Sequence, residues 1–212
     1  MSDNTDYFVP AGYGEAEFTE KRSRFTGRVW PVKTEEEALQ HLKEMREKYW
    51  DATHNVYAYI IKDTGAMRYS DDGEPQGTSG MPVLGVFRSA GVTDFCCVVT
   101  RYFGGILLGT GGLVRAYSQA ASSALENAGI AKTSLWRRLR LRCPYPAYER
   151  VKTETEGAGI IENTDFAADV TIDALVPEEQ AEDFISRITD ATSGAVRPEP
   201  LGTEFRAVKI TK

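Results

Sequence analysis

Three carboxylates, Asp71, Asp72 and Glu74, fall within four residues of the chain, with Gly73 between them. Carboxylates at this spacing can bind a hard cation such as Mg²⁺ or act as a general acid and base. The loop does not have the calcium-loop pattern, whose ligands alternate over a longer stretch. Because Asp and Gly are also common turn residues, a solvated turn is the alternative, and the identity of any metal or cofactor is unknown.

A glycine-rich segment follows the strand that ends near Arg101. This segment contains Tyr102, Gly104, Gly105, Gly109, Thr110 and Gly111, and the predicted helix that follows it carries Arg115. Free backbone N–H groups and the positive N-terminus of a helix can bind an anion such as phosphate, and arginines add charge-assisted hydrogen bonds. The glycines have neither the P-loop nor the dinucleotide-binding spacing. The alternative is that they only permit a tight turn and close helix–strand packing.

His54 lies at the start of the strand that leads toward the carboxylate loop. In this place an imidazole can act as a general base or contact a bound ligand. The alternative is a structural role, which is more common for a single histidine at the start of a strand. No serine has the Gly-x-Ser-x-Gly spacing of a nucleophile elbow, so hydrolase chemistry of that kind has no support.

Arginines alternate with apolar residues early in the second half of the chain. Arg138, Arg140 and Arg142 share one face of a predicted strand, Arg137 adjoins them, and Trp136 and Tyr145 flank the run. Arginine and aromatic side chains on an open sheet face suit the backbone and bases of RNA. The alternative is a solvated face, or arginines that pair with the many acidic residues of this half.

The composition is that of an ordinary globular protein: 212 residues, 42% hydrophobic, with a formal net charge of −6. The negative charge argues against long-range, non-specific attraction to nucleic acid, although a local basic surface is compatible with it. No apolar run reaches 18 residues and no basic, apolar leader is present, so we expect no membrane partner. Cys96, Cys97 and Cys143 form no disulfide or metal pattern, which indicates buried thiols in a soluble, cytoplasmic protein.

The predicted elements place both candidate segments at the ends of strands. In the first half the patterns predict strands at 15–20, 23–32, 55–61 and 94–102 and helices at 34–49, 81–89 and 113–128. Residues 70–80 are predicted as a loop, and residues 104–112 as a turn. The second half has the order β-α-β-β-α-β, which is ferredoxin-like. We therefore predict an α+β chain with one domain at 1–132 and another at 135–212.

Two separated stretches, Ser70–Pro75 and Arg101–Gly109, together resemble the YigZ/IMPACT family. The similarity extends over Lys21–Phe25 and over Gly111–Tyr117, and the second of these is typical of the bacterial branch. The resemblance implies a first domain with the fold shared by a small-subunit ribosomal protein and by domain four of elongation factor G. It also implies a second domain similar to domain five of that factor, in agreement with the ferredoxin-like order.

The function that the resemblance implies is that of a translation-associated regulatory factor without catalytic activity, which binds RNA or the ribosome. Eukaryotic members bind a large activator protein and restrain a kinase that acts on an initiation factor, and they carry an additional domain that this sequence does not match. The alternative is an enzyme or ligand-binding protein that acts on a phosphorylated small molecule. In that alternative Asp72 and Glu74 would hold a metal, while Arg101 and the amides of residues 109–112 would hold phosphate.

Overall fold

The structure, a computed structural model, describes residues 6–209. It is an α+β chain, as predicted, with the elements β1 (Tyr7–Pro10), β2 (Gly14–Glu20), β3 (Ser23–Pro31), α1 (Glu35–Lys48), β4 (His54–Ile61), β5 (Ala66–Ser70), α2 (Gly80–Ser89), β6 (Phe95–Tyr102), α3 (Thr110–Ala128), β7 (Ile130–Cys143), α4 (Tyr148–Ala158), β8 (Ile160–Phe166), β9 (Val170–Pro177), α5 (Glu178–Ala191) and β10 (Glu199–Lys209). These residues divide into two compact units, one of residues 7–132 with 207–209 and one of Asp6 with residues 133–206. Residues 1–5 and 210–212 of the predicted domains lie outside the described range.

The first unit is built on a five-stranded antiparallel sheet in the order β2-β3-β6-β4-β5. Helix α1 covers one face through Ala38, Leu42 and Met45, while α2 and α3 cover the other face. The central strand β6 is buried along almost its whole length, as expected of a strand between two helical layers. Helix α1 begins where predicted because the Thr34 hydroxyl accepts a hydrogen bond from the Glu37 N–H at 3.2 Å.

Helix α3 lies so close to the sheet that glycine is required beneath it. A Cβ atom at Gly27 would lie 2.3 Å from the carbonyl oxygen of Ala120, and one at Gly14 would lie 2.2 Å from that of Ala124. The helix begins at Thr110, three residues before its predicted start. The prediction was late because glycines in the first turn have low helix propensity, although no side chain there prevents helical geometry.

The antiparallel pairing of β4 with β6 brings the two candidate segments together. His54, the first residue of β4, is paired with Arg101 near the end of β6. The sequence patterns do not predict β5, because this edge strand is largely exposed and lacks an apolar run. Strand β5 pairs with β4 and ends at Ser70, so it returns the chain to the carboxylate loop beside the sheet.

The second unit has the predicted β-α-β-β-α-β order, with its strands arranged as β8-β9-β7-β10. Its core includes Leu139 and Leu141 of β7, Val151 of α4, and Phe184 and Ile188 of α5. The arginines of β7 alternate with these buried residues and therefore project from the other face of the sheet.

The cysteines are buried and form no disulfide, as the sequence predicts. Cys97 belongs to the core beneath α2 and α3, whereas Cys96 belongs to the core beneath α1, so the two side chains lie on opposite faces of β6. Burial raises the pKa of Cys96 to about 12, which keeps this thiol protonated and unreactive. Within residues 6–209, no helix has both the length and the hydropathy needed to cross a bilayer.

Candidate functional site

The centre of the site is an ion pair buried in the first unit. Arg101 Nη1 lies 2.5 Å from Glu74 Oε1, and the two residues are 4% and 8% exposed. Tyr117 of α3 donates its hydroxyl proton to the same carboxylate oxygen at 2.8 Å, and Arg101 Nη2 donates to Ser23 Oγ at 3.3 Å. Burial and the nearby Glu74 carboxylate raise the pKa of Tyr117 well above its usual range, so the phenol remains a donor. These bonds join β3, β6 and α3 to the carboxylate loop.

His54 connects the ion pair to the backbone of the carboxylate loop. Its Nε2 lies 3.6 Å from Glu74 Oε1, and its Nδ1 lies 2.7 Å from the carbonyl oxygen of Asp72. Because a carbonyl oxygen can only accept, Nδ1 carries a proton, and Nε2 is the nitrogen that faces Glu74. The imidazole therefore has one structural contact and one nitrogen directed at the buried carboxylate.

The Asp71 carboxylate closes the loop onto the start of α2. Its Oδ1 accepts from the N–H groups of Ser79 and Gly80 at 3.1 and 2.8 Å and from the Ser79 hydroxyl at 2.7 Å. Its Oδ2 accepts from the Gly77 N–H at 2.8 Å. Burial alone would raise the pKa of Asp71, but these hydrogen bonds together lower it below its ordinary value of 3.8. Asp71 therefore has the structural role of an acceptor at a helix N-terminus.

Replacing Asp71 with Asn is expected to lower the free energy of unfolding by about 1–3 kcal/mol at neutral pH, because an amide nitrogen would face backbone donors. The folded-state pKa lies below the unfolded value, so this stabilisation is present above about pH 4 and disappears as the pH falls through the folded-state pKa. Urea unfolding at several pH values would measure the difference between wild type and variant. Asp165→Asn, an exposed aspartate in β8, is the control and should change stability by less than about 0.5 kcal/mol. A difference that does not become smaller as the pH falls below 4 would contradict this role.

The expectation that Asp72 and Glu74 hold a metal is not met, because the three carboxylates do not converge. Asp72 Oδ2 accepts from the Asn55 N–H at 2.6 Å, and Asp72 Oδ1 accepts from Arg46 at 3.1 Å. Asp71 faces α2, whereas Glu74 faces Arg101. Within the described residues, no group of three or more His, Cys, Asp or Glu side chains is arranged to hold a metal ion. The turn explains the divergence: Asp72 and Gly73 have left-handed φ angles of 47° and 88°, so successive side chains point in different directions.

The glycines of residues 104–112 shape the loop that leads into α3. A Cβ at Gly104 would lie 2.0 Å from the carbonyl carbon of Arg22, and the Gly104 N–H donates to Ser23 Oγ at 3.2 Å. Gly105 and Gly109 have φ angles of 82° and 73°, which glycine adopts without strain. Gly109 is the N-cap of α3, and the first N–H groups of the helix have no acceptor within it. The glycines thus have a structural role, and they also leave a helix N-terminus open.

A cleft of about 380 Å³ lies beside the ion pair. Its polar lining comprises Thr53, His54, Glu74, Arg101, Gly109 and Thr110, and its apolar lining comprises Pro75, Phe103, Leu107, Leu108 and Leu113. The carboxylate loop and the glycine-rich segment therefore meet at this cleft. The Nε of Arg101, although buried, has no hydrogen-bond partner in the described structure. A cleft with apolar walls and a few polar groups is the usual form of a small-ligand site.

Other candidate residues lie away from the cleft. Tyr102 donates its hydroxyl proton to Asp51 at 2.8 Å, and its ring lies beneath the Arg24 guanidinium at 4.6 Å. Arg115 is exposed near the first turn of α3, where its Nη1 lies 3.8 Å from the position of a Cβ built on Gly111. Asp71, Asp72, Gly104 and Gly105 support the surrounding loops without lining the cleft.

Sequence reasoning missed Tyr117, Ser23 and Phe103 as part of the site. Tyr117 lies on the core-facing side of α3, where periodicity indicates ordinary packing. Ser23 begins β3 and contacts the site only because β3 is paired with β6. Phe103 had a signal in the sequence, since it is an aromatic residue at the start of a predicted turn that also contains the apolar run Ile106–Leu108.

Four arginines of β7, namely Arg137, Arg138, Arg140 and Arg142, are here called the arginine stripe, and most of them are paired with acidic side chains. Arg137 donates to Glu178 and Glu182, and Arg138 lies 2.9 Å from Glu204 and 3.0 Å from Glu162. Arg140 donates to both carboxylate oxygens of Asp173 at 2.7 and 2.8 Å, and these bonds lower the pKa of Asp173. Arg142 is exposed and is the one of the four without a carboxylate partner among residues 6–209. The pairing reduces the positive charge that this face offers to phosphate.

Two family models match the chain. The Impact N-terminal domain matches residues 21–125, and a domain of unknown function, DUF1949, matches residues 141–195. The first match contains the whole candidate cleft, and the second contains most of the core of the second unit.

Relatives and a solved structure extend the similarity over most of the chain. The IMPACT family member YvyE of Bacillus subtilis is 35% identical over 190 residues, which cover 89% of this chain and 88% of the relative. YigZ of Escherichia coli is 32% identical over 181 residues, with coverage of 84% and 89%. The mouse protein IMPACT is 36% identical over 111 residues, which cover 50% of this chain and 34% of that protein. A crystal structure of a hypothetical protein superposes with a TM-score of 0.58 at 29% identity and covers 93% of this chain and 98% of its own. The chain therefore belongs to the IMPACT family.

Proposed function

We propose that this protein is a translation-associated regulatory factor that binds RNA or the ribosome without catalysing a reaction. Membership of a family whose members are associated with translation regulation supports the general role. The observation that best supports RNA binding is a group of basic residues at the β2–β3 hairpin, here called the basic turn. Lys21 and Arg22 lie in the turn itself, and Arg24 is the second residue of β3. A chain with a net charge of −6 needs such a local basic surface to bind phosphates.

The basic turn is exposed, and its charges are poorly neutralised. Lys21 and Arg22 have no carboxylate partner within the described residues, and Arg24 is 4.0 Å from Glu17. The guanidinium of Arg24 rests on the Tyr102 ring, which holds the charge at the surface. The turn also packs against Gly104, so the basic residues lie beside the loop that borders the cleft. Arginines beside an aromatic-containing loop suit the phosphates and unpaired bases of RNA.

The arginine stripe is a second proposed contact for the same partner. Three of its four guanidinium groups already have carboxylate partners, so Arg142 is the residue we propose to contact phosphate directly. The other three arginines could bind phosphate only if they gave up their carboxylate partners. We therefore propose that the stripe binds RNA more weakly than the basic turn.

Reversing the charge of the basic turn, as Lys21→Glu with Arg22→Glu, is expected to weaken co-sedimentation with bacterial ribosomes. Each lost phosphate contact lowers the slope of log affinity against log salt by about one, so the double variant should lower it by about two. Pelleting assays at three salt concentrations would measure both the affinity and the slope.

The matched control is Lys43→Glu with Arg88→Glu, two exposed basic residues on α1 and α2 that lie outside the turn. It makes the same change in net charge and should leave the slope near that of the wild type. If the wild-type protein does not pellet with ribosomes even at low salt, the proposed function is wrong. Equal loss in both double variants would mean that only net charge matters.

The cleft favours a second candidate function, the binding of a phosphorylated small molecule. The specific observation is that the N-terminus of α3 and the buried Arg101 border the same 380 Å³ volume. Binding of a free nucleotide, compared with binding of RNA, distinguishes the two candidate functions.

A further inference from the structure

We infer that the cleft of the first unit is a binding site for a single nucleotide, whose base lies among the apolar walls and whose phosphate lies at the N-terminus of α3. The inference rests on the proposed function for its partner, an unpaired nucleotide in an RNA chain. A free nucleotide has the same chemistry, and the experiment below distinguishes the two sources.

The apolar part of the cleft suits a planar base. Phe103, which is 44% exposed, contributes an aromatic ring, and Leu107, Leu108 and Leu113 form the surface around it. Stacking on an aromatic ring favours binding and requires a base that is not already stacked in a duplex. The volume of about 380 Å³ is near the lower end of the range for small-molecule sites, which suits one nucleotide rather than a longer segment.

The polar part of the cleft can recognise the edge of the base. The contacts of Glu74 with Arg101, Tyr117 and His54 all use its oxygen Oε1. We therefore assign Oε2 as the acceptor for an exocyclic amine, which adenine, cytosine and guanine possess. Uracil has no such amine, and its single base-edge N–H lies between two carbonyl oxygens that a carboxylate repels. The site should therefore disfavour uracil.

The phosphate position follows from the start of α3. Thr110 is the first residue of this 19-residue helix, and its N–H and the next two have no acceptor within the helix. These donors and the helix dipole attract an anion at the edge of the cleft that Gly109 and Thr110 form. The Nε of Arg101, a residue of the cleft wall, has no hydrogen-bond partner within residues 6–209. This is a second, independent sign of a missing ligand, because a buried charged donor normally has an acceptor.

The test uses the full chain and fluorescence anisotropy with five-residue oligomers of adenylate, cytidylate and uridylate and with a short RNA duplex. We expect the adenylate and cytidylate oligomers to bind about tenfold more tightly than the uridylate oligomer. Phe103→Ala should weaken single-strand binding about tenfold and leave duplex binding unchanged. Phe166→Ala, an exposed phenylalanine in the second unit, is the matched control and should change neither. Base preference is tested through the ligand because substituting Glu74 would leave Arg101 unpaired in the interior.

The phosphate contact is tested with Thr110→Pro, which removes one N–H at the first helical position, where proline is well tolerated. It should weaken the binding of AMP and leave that of adenosine unchanged. If AMP binds as tightly as the adenylate oligomer and is equally sensitive to Phe103→Ala, the nucleotide site stands and its ligand is free nucleotide.

Equal affinity for adenylate and uridylate oligomers, or no effect of Phe103→Ala, would overturn the nucleotide site. Either result leaves the proposed function intact if the wild-type protein still pellets with ribosomes. If the wild-type protein does not pellet with ribosomes but binds AMP tightly, the proposed function is wrong and the nucleotide site stands.

Discussion

Replacing Arg101 with Met is expected to lower the free energy of unfolding of the first unit by about 3–5 kcal/mol, because the substitution leaves the Glu74 carboxylate buried without its counter-charge. Tyr117 would still donate one hydrogen bond to Glu74, but a single neutral donor does not replace a guanidinium. Equilibrium unfolding in urea, followed by tryptophan fluorescence, would measure the loss.

The cause of that loss can be separated from simple removal of an arginine. Arg142→Met removes an exposed arginine that has no carboxylate partner among residues 6–209, and it should change stability by less than about 0.5 kcal/mol. The double variant Arg101→Met with Glu74→Leu removes both charges and should recover most of the stability lost by Arg101→Met alone. If the double variant is as unstable as the single one, the ion pair is not the source of the loss.

Replacing Gly27 with Ala is expected to cost about 3 kcal/mol, because the new methyl group would lie 2.3 Å from the carbonyl oxygen of Ala120. The nearest atoms, the carbonyl oxygen and carbonyl carbon of Ala120, belong to the backbone. The clash can therefore be relieved only if α3 moves away from β3. That movement would also shift Tyr117, which donates to Glu74, so the cleft should bind its ligand more weakly. Thermal unfolding and the anisotropy assay on one protein sample would measure both effects.

The matched control is Gly85→Ala, which places the same methyl group in the interior of α2, where no atom of the described residues lies within 4 Å of the new Cβ. Because alanine favours helix over glycine by about 1 kcal/mol, this variant should be slightly more stable than the wild type. The close approach of α3 to the sheet would be refuted by a Gly27→Ala protein that unfolds at the wild-type temperature.

These two predictions concern the same property of the site, its rigidity. The Glu74–Arg101 pair holds the loop, β6 and α3 together, and Gly27 allows α3 to lie where Tyr117 can reach the pair. A ligand in the cleft would then meet groups already held in position, which reduces the entropy lost on binding. The same buried pair that stabilises the first unit would thus position its candidate binding site.

The carboxylate loop shows which structural features the local sequence pattern predicts and which it does not. Its turn was predictable, because Asp and Gly adopt left-handed φ angles at little cost, as Asp72 and Gly73 do. The distribution of roles was not predictable from spacing. Asp71 bonds to α2, Asp72 bonds to the start of β4, and Glu74 bonds to Arg101, because each side chain meets a different element of the folded unit.

The arginine stripe illustrates the same limit in the second unit. Alternation along β7 correctly predicted that Arg138, Arg140 and Arg142 share a face, since side chains on a strand alternate between its two sides. Alternation contains no information about the neighbouring strands. Asp173 of β9 and Glu204 of β10 are brought beside the arginines only by the pairing of those strands with β7.

The sequence by itself determined the α+β class, most helices and strands, the β-α-β-β-α-β order and the family, because each depends on periodicity, turn residues and motifs among near neighbours. Only the tertiary structure decided which groups form the cleft. Glu74 is 27 residues from Arg101 and 43 from Tyr117, and no local pattern specifies contacts at such separations. They arise because strand pairing and the glycine beneath α3 bring remote side chains within hydrogen-bonding distance, and burial then makes every unpaired polar group costly.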